Sequence, residues 1–189
     1  MGCADKKCEC GDSKGLVSLQ LNKSIEKCGC QGVDGDKTSA PKRYITVSIK
    51  TPAGNIPIIS THLDWSDYLG ALRVRCGIKR VQYRIEPGLY AVGTPDERSD
   101  VIVTANYKLT FDAVRKNMDG LNAWLLVLDT KGINVWCAAG KGTFGTEELV
   151  RRIGLTSLGK IIIHKRLILP QLGATGVAAH LVKKNSGFT

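Results

Sequence analysis

The stretch Asn134-Val135-Trp136-Cys137-Ala138-Ala139-Gly140-Lys141 sets one cysteine directly after a tryptophan and before two alanines and a glycine. A cysteine in this setting has three kinds of use. It can be a small buried filler, because cysteine is among the most buried residue types. It can be a nucleophile, which ordinarily needs a histidine partner, and none of His62, His164 and His180 sits in a motif that brings one close. It can be a soft ligand to a metal held inside a large planar macrocycle. Asn134 is a good helix N-cap, which puts Cys137 at the third helical position and lets Gly140 end the helix. First-turn thiols lie at the positive end of the helix dipole, an environment that favours the thiolate. Ala138, Ala139 and Gly140 leave little bulk beside the sulfur, so a broad flat ligand can approach it, with Trp136 covering one edge.

The glycines allow a fourth reading. Gly140, Gly142 and Gly145 spell G-x-G-x-x-G ahead of a helix, and Arg166 follows about 20 residues on, where an NADP-type site holds a 2′-phosphate. That fingerprint should follow its strand directly, yet Asp129 ends the strand eleven residues before Gly140. The remaining thiols fall into two sets. Cys3, Cys8, Cys10, Cys28 and Cys30 lie in a Cys-, Gly-, Lys- and Asp-rich stretch, residues 1–40, that reads as a flexible tail. Their C-x4-C-x-C and C-x-C spacings are neither a zinc knuckle nor a ferredoxin run. A soft-metal site and an oxidation-prone tail are both compatible with them. Cys76 reads as a core or near-core thiol.

The elements that must position Cys137 are legible around it. Residues 44–60 alternate apolar and polar about a Pro52–Gly54 turn, which predicts a hairpin. A short helix is expected over 64–75, and a second strand-turn-strand over 83–92 about Pro87-Gly88. From residue 100 the pattern changes to near-continuous apolar runs, VIVTA (101–105), AWLLVLD (123–129) and KIIIHKRL (160–167), the mark of strands buried on both faces. Thr110 and Thr146 are the expected caps of the two helices between them, ended by Gly120 and Gly154. The second carries Glu147 and Glu148 in its first turn and Arg151 and Arg152 in its last, matching the dipole. Strand, helix, strand, helix, strand predicts an α/β, Rossmann-like, mostly parallel sheet, preceded by the hairpin region and carrying a short cap helix with Cys137. Ligands in such sheets sit at the carboxyl ends of the strands. The loops there are 104–109, 129–146 and 169–176.

Composition narrows the function classes. At 189 residues with 43% apolar and 23% charged residues, the chain supports one ordinary domain over 41–189 in addition to the tail. No apolar run is long enough to span a bilayer and no signal peptide opens the sequence, so the chain reads as soluble and cytoplasmic with reduced cysteines. The net charge is +10, and no acidic residue follows Glu148. That favours an anionic neighbour: a phosphate-bearing ligand, nucleic acid or the inner membrane surface. Nucleic acid is the weaker choice, because the basic residues are not interleaved with aromatics and no nucleic-acid-binding signature is present.

The segment LVLDTKGINVWCAAGKGTFGTEELV resembles the cap-helix region of the mercury-methylating corrinoid protein family, HgcA. YRIEPGLYAVG, VTANYKLTFD and LILPQLGATGVAAH resemble the same family, so the likeness runs over roughly residues 55–188. That family is related to the large subunit of the corrinoid iron–sulfur protein of the acetyl-CoA pathway. The resemblance implies a cobalamin-type corrinoid held base-off, with Cys137 as the lower axial ligand of cobalt. It implies that a methyl group passes from this cofactor to inorganic Hg(II), a soft thiophilic cation, helped by the electron donation of a thiolate. The usual D-x-H-x-x-G corrinoid motif is missing around all three histidines, in keeping with cysteine ligation. By the same resemblance Asn134, Trp136, Ala138, Ala139 and Gly140 of the cap helix touch the cofactor. Thr104, Ala105 and Asn106, then Gly142, Thr143, Gly145 and Thr146, then Gln171, Leu172, Gly173 and Gly176 would cradle its rim. A methyl-tetrahydrofolate-linked donor and a ferredoxin-like iron–sulfur reductant would be the partners. Full-length members continue into a membrane-spanning C-terminal region. This chain would then be a fragment or a membrane-free variant, whose complete form works at the cytoplasmic face of the inner membrane. Two alternatives stay open: a methyl carrier of the acetyl-CoA type, and an NADP-binding oxidoreductase domain.

Overall fold

The structure, a computed structural model, describes residues 42–189. The five tail cysteines and their expected soft-metal site lie outside the described residues.

The hairpin forms as expected from strands β1 (Ile45–Thr51) and β2 (Gly54–Ile59). Its turn needs glycine at position 54, where φ is +119°. Helix α1 (Trp65–Arg75) follows, closed by a capping box in which the Asp64 and Asp67 side chains each accept a backbone N–H from the other. The chain continues through β3 (Gly88–Val92), β4 (Val101–Ala105), α2 (Lys108–Asn117), β5 (Ala123–Leu128), α3 (Val135–Gly140), α4 (Thr146–Leu155), α5 (Gln171–Ala174) and α6 (Ala179–Ser186). Strand order is β1-β2-β3-β5-β4. The β2–β3 and β4–β5 pairings are parallel, whereas β1–β2 and β3–β5 are antiparallel. The chain is therefore α/β and Rossmann-like, with a parallel β4–β5 pair where the cap helix sits.

The sheet is covered on both faces. Leu89, Ala91, Val103, Ala105, Trp124, Leu126 and Leu128 point to a core closed by α3, α4 and α6 through Val135, Ala138, Leu149, Ile153 and Val182. The alternate residues Tyr90, Val92, Leu125 and Val127 point to a second core closed by α2 through Phe111 and Met118. Every residue of β5 is buried, as its unbroken apolar run requires.

Four expectations are corrected. Residues 160–167 do not form a strand. Leu158–Lys160 is a 3₁₀ turn, Ile161 and Ile162 fill the core, and Ile163 is exposed. Lys165 adopts a left-handed φ of +52°, which breaks any ladder. Only Ile168 reaches β4, where it donates to Val101 O at 2.8 Å and accepts from Val103 N at 2.9 Å. Residues 83–87 pair only through the Arg84–Tyr107 bridge, so the second hairpin is the single strand β3. The helix caps shift: Tyr107 caps α2 and Gly145 caps α4, which puts Thr110 and Thr146 inside their helices. Cys76 is exposed, since it follows α1 on that helix's outer side.

Candidate functional site

The site is built upward from Asn106, the first residue past β4. Its amide nitrogen donates to Leu128 O at 3.1 Å, which ties the carboxyl ends of β4 and β5 together. Its side-chain oxygen then faces Thr130 N (3.1 Å), Thr130 Oγ1 (2.9 Å) and Gly132 N (3.0 Å), and its Nδ2 donates to Asp129 at 3.2 Å. One buried amide thus folds the loop 129–133 back over the strand ends. Lys131 and Gly132 take the left-handed conformations this reversal needs.

Asp129 and Glu148 brace the loop from the α4 side. Burial alone would raise the Asp129 pKa, but the Lys131 ammonium and backbone N–H hold it below the ordinary carboxylate value. For Glu148 burial again opposes ionisation, and the Asp129 backbone N–H with Arg152 and Arg151 outweigh it, so this pKa is also lowered.

The loop delivers α3. The Asn134 side chain accepts from Cys137 N at 2.9 Å, the expected N-cap. Val135 and Ala138 are buried against the sheet, and Trp136, Cys137 and Gly140 face outward. The thiol is therefore exposed, not a core filler. Gly140 adds no obstruction: a Cβ there would meet nothing within 4 Å.

Two glycines seat the helix from the other side. A Cβ on Gly173 would lie 2.6 Å from the Phe144 ring and 2.8 Å from Val135 Cγ1. A Cβ on Gly176 would collide with Phe144 O and lie 3.2 Å from Ala139 Cα. The small residues of 169–176 thus let α5 pack tightly beside α3. Between these helices and the first turn of α2 runs a groove of about 410 Å³, lined by Thr110, Asn134, Val135, Trp136, Pro170, Gln171 and Leu172.

The expected contact residues separate into three sets. Trp136, Cys137, Gly140, Gly142, Gln171 and Leu172 are exposed. Asn134, Ala139, Thr143, Thr146 and Gly176 are half-buried, and Thr146 Oγ1 is already engaged by Ala178 N at 2.8 Å. Thr104, Ala105, Asn106, Ala138, Gly145 and Gly173 are buried. Strand alternation turns Thr104 to the α2 face, and Ala105 sits in the core. Asn106 is fully occupied with the loop. Residues 104–106 form the floor beneath the loop, and Asn106 also lines a cavity there.

A second cavity of about 350 Å³ lies beyond the same strand ends, lined by Arg84, Ile85, Glu86, Pro87, Asn106, Asp129 and Lys131. The sequence reading did not single out its charged members. The position of Asp129 and Lys131 just after a buried strand was the available signal. Among the described residues no cluster of three or more His, Cys, Asp or Glu is placed to hold a metal ion, and no helix is long and apolar enough to cross a membrane.

The residues present suit a large planar metal ligand. The donor is a lone soft sulfur on the exposed side of a short helix, with no bulk at Gly140 and with apolar Trp136 and Leu172 beside the groove. The gamma subunit of the acetyl-CoA decarbonylase/synthase complex from Methanocaldococcus jannaschii is 40% identical over 93 residues, 48% of this chain and 19% of that protein. Its counterpart in Methanothermobacter thermautotrophicus is 30% identical over 146 residues, 74% of this chain and 32% of that protein. The corrinoid/iron-sulfur protein large subunit of Moorella thermoacetica is 31% identical over 111 residues, 58% of this chain and 24% of that protein. The chain spans at most about a third of the length of these relatives. The model of the CO dehydrogenase/acetyl-CoA synthase delta subunit family matches residues 49–182, and the chain belongs to that family.

Proposed function

We propose that this domain is a corrinoid-dependent methyl carrier of the acetyl-CoA-pathway type, with Cys137 as the lower ligand of cobalt. The observation that carries the proposal is the exposed Cys137 sulfur on an N-capped helix at the carboxyl ends of β4 and β5. When bound, the corrinoid supplies a cobalt ion able to take up and release a methyl group. The chain's own residues do the rest. Asn134 holds the helix start, so the sulfur is presented at a fixed height. Ala138 and Val135 press the helix onto the sheet. Gly140 keeps the space beside the sulfur free. Trp136 and Leu172 offer apolar surface to a ring edge, and the Gln171 side chain offers a donor and an acceptor to peripheral amides. Gly142 and Thr143 offer main-chain and hydroxyl groups at the far end of the same helix. A methyl-tetrahydrofolate-linked donor and a ferredoxin-like iron–sulfur reductant complete the proposed cycle.

A second acceptor, Hg(II), is favoured by one feature: the ligand type. Sulfur is a stronger electron donor than imidazole, and a soft thiophilic cation takes up an electron-rich methyl group. On this reading the domain belongs to a mercury methyltransferase of the HgcA kind, working at the cytoplasmic face of the inner membrane.

The test is absorbance. Protein titrated anaerobically with cobalamin is expected to give a base-off spectrum that Cys137→Ala alters. Retention of NADPH without cobalamin uptake would replace the proposal by the oxidoreductase reading. Assaying methylmercury in cells lacking the gene separates the two acceptors: unchanged methylmercury leaves the acetyl-CoA-type carrier.

A further inference from the structure

Asn106 is held by its main chain before its side chain is counted. Its N–H donates to Leu128 O at 3.1 Å and its carbonyl accepts from Ile85 N at 2.9 Å, so the residue is fixed between the end of β5 and segment 83–87. From that fixed point the buried side chain accepts from Thr130 N and Gly132 N. Thr130 is buried too, and its hydroxyl stands 2.9 Å from Asn106 Oδ1 and 2.7 Å from Ile133 O. Ile133 N donates back to Thr130 O at 3.2 Å. The next residue is Asn134, whose side chain accepts from Cys137 N and whose carbonyl accepts from Ala138 N, each at 2.9 Å. Asn106, Thr130 and Asn134 thus connect, in series, the end of β4 to the main chain of Cys137.

A helix of 6 residues is too short to persist on its own in water, so the direction in which α3 presents its sulfur is set by what holds its entry. Val135 and Ala138 press the helix onto the core, but apolar burial is non-directional and fixes no single height for it. The hydrogen bonds in series do. The loop's other anchor, Glu148 on Asp129 N at 2.9 Å, acts one residue further from the helix than Thr130. The position also demands an amide. Oδ1 must accept two main-chain N–H groups while Nδ2 donates to Asp129 Oδ1 at 3.2 Å. Aspartate at 106 would supply the acceptor alone and set a second carboxylate against Asp129. Alanine would leave buried donors unpaired.

We propose that Asn106 is a positioning residue for Cys137: through Thr130 and Asn134 it sets where the sulfur stands relative to the carboxyl ends of β4 and β5, and so how the sulfur meets cobalt. The cobalt clause rests on the corrinoid reading. The positioning of α3 does not, and it holds for the domain without cofactor.

The test has two arms on the full chain. The first is amide hydrogen exchange without cofactor, read by mass spectrometry. Asn106→Ala, Thr130→Val and Asn106→Asp should each speed exchange over residues 130–141 about tenfold or more and leave β4 and β5 protected. Adding Asp129→Asn to Asn106→Asp should restore protection, because the exchange of side chains again sets a donor against an acceptor. Should Asn106→Ala fail to fold, Asn106→Asp with and without Asp129→Asn decides alone. Unchanged exchange over 130–141, a loss spread evenly over the sheet, or no rescue by Asp129→Asn would overturn the proposal. The second arm is a double-mutant cycle read by cobalamin titration. Asn106→Ala should weaken binding about tenfold beside Cys137 and have little further effect in Cys137→Ala. Equal losses in the two backgrounds would overturn the cobalt clause by assigning Asn106 to the ring directly. A chain that takes up no cobalamin, with the exchange result standing, would overturn the corrinoid reading and leave the positioning of α3 intact.

Discussion

Helices α1 and α3 each leave a tryptophan in solvent, and they are fastened by opposite means. Among the described residues no ion pair lies under α3: it is held by the Asn134 cap, by the loop that Asn106 gathers, and by glycines close enough to admit no Cβ. Under α1 lies a buried set of two acids and two bases. The difference follows from what each helix exposes. The outward face of α3 is small and carries one thiol, so neutral bonds and close packing suffice to hold it. The outward face of α1 leaves Trp65, Tyr68, Leu69 and Leu72 in solvent, and rotating the helix would bury them. Buried charges, costly to leave unpaired, oppose that rotation.

Breaking the charged side should have the largest effect. Asp67→Ala leaves Lys108 and Arg115 with Asp112 alone, and urea unfolding should show a loss of about 3 kcal/mol or more. Thiol labelling of Cys137 should keep its native rate in that variant below the unfolding transition. Gly176→Ala attacks the other side. Its Cβ collides with Phe144 O, so α5 or α3 must move, at a cost of about 2 kcal/mol, and the Cys137 labelling rate should change. Asn134→Ala removes the α3 cap and should cost about 1 kcal/mol, most of it recovered by Asn134→Asp. The smallest effect is a pH dependence at the α4 brace. Glu148 has a lowered folded pKa, so its contribution is whole above the unfolded value of 4.5 and is lost as pH falls through the folded one. Stability measured across that acidic range should fall less steeply for Glu148→Gln.

Much of this arrangement was legible in the sequence, for identifiable reasons. The hairpin announced itself through alternation and a Pro-Gly turn, and β4 and β5 through unbroken apolar runs. Asn134 marked the start of α3 because capping depends on one side chain and a local spacing. The failures share a cause. Ile161, Ile162 and Ile163 look like the interior of a strand, but a core filled from a 3₁₀ turn accepts the same apolar residues. Thr146 has the residue type of a cap, but Gly145 holds that position and the Thr146 hydroxyl accepts from Ala178 N, thirty-two residues on. The second role of Asn106, gathering the 129–133 loop, is a long-range arrangement with no local signature in the sequence. The outward turn of α1 could not be read from its periodicity, which reports a stripe and not the side on which the domain lies. That depended on where Lys108 and Arg115 come to rest.

Cobalt K-edge absorption of the cobalamin-loaded domain tests the central claim most directly, because it reports the atoms bonded to the metal. The account predicts one sulfur neighbour of cobalt, lost in Cys137→Ala. A spectrum with only nitrogen and oxygen neighbours, identical in the two proteins, would contradict it.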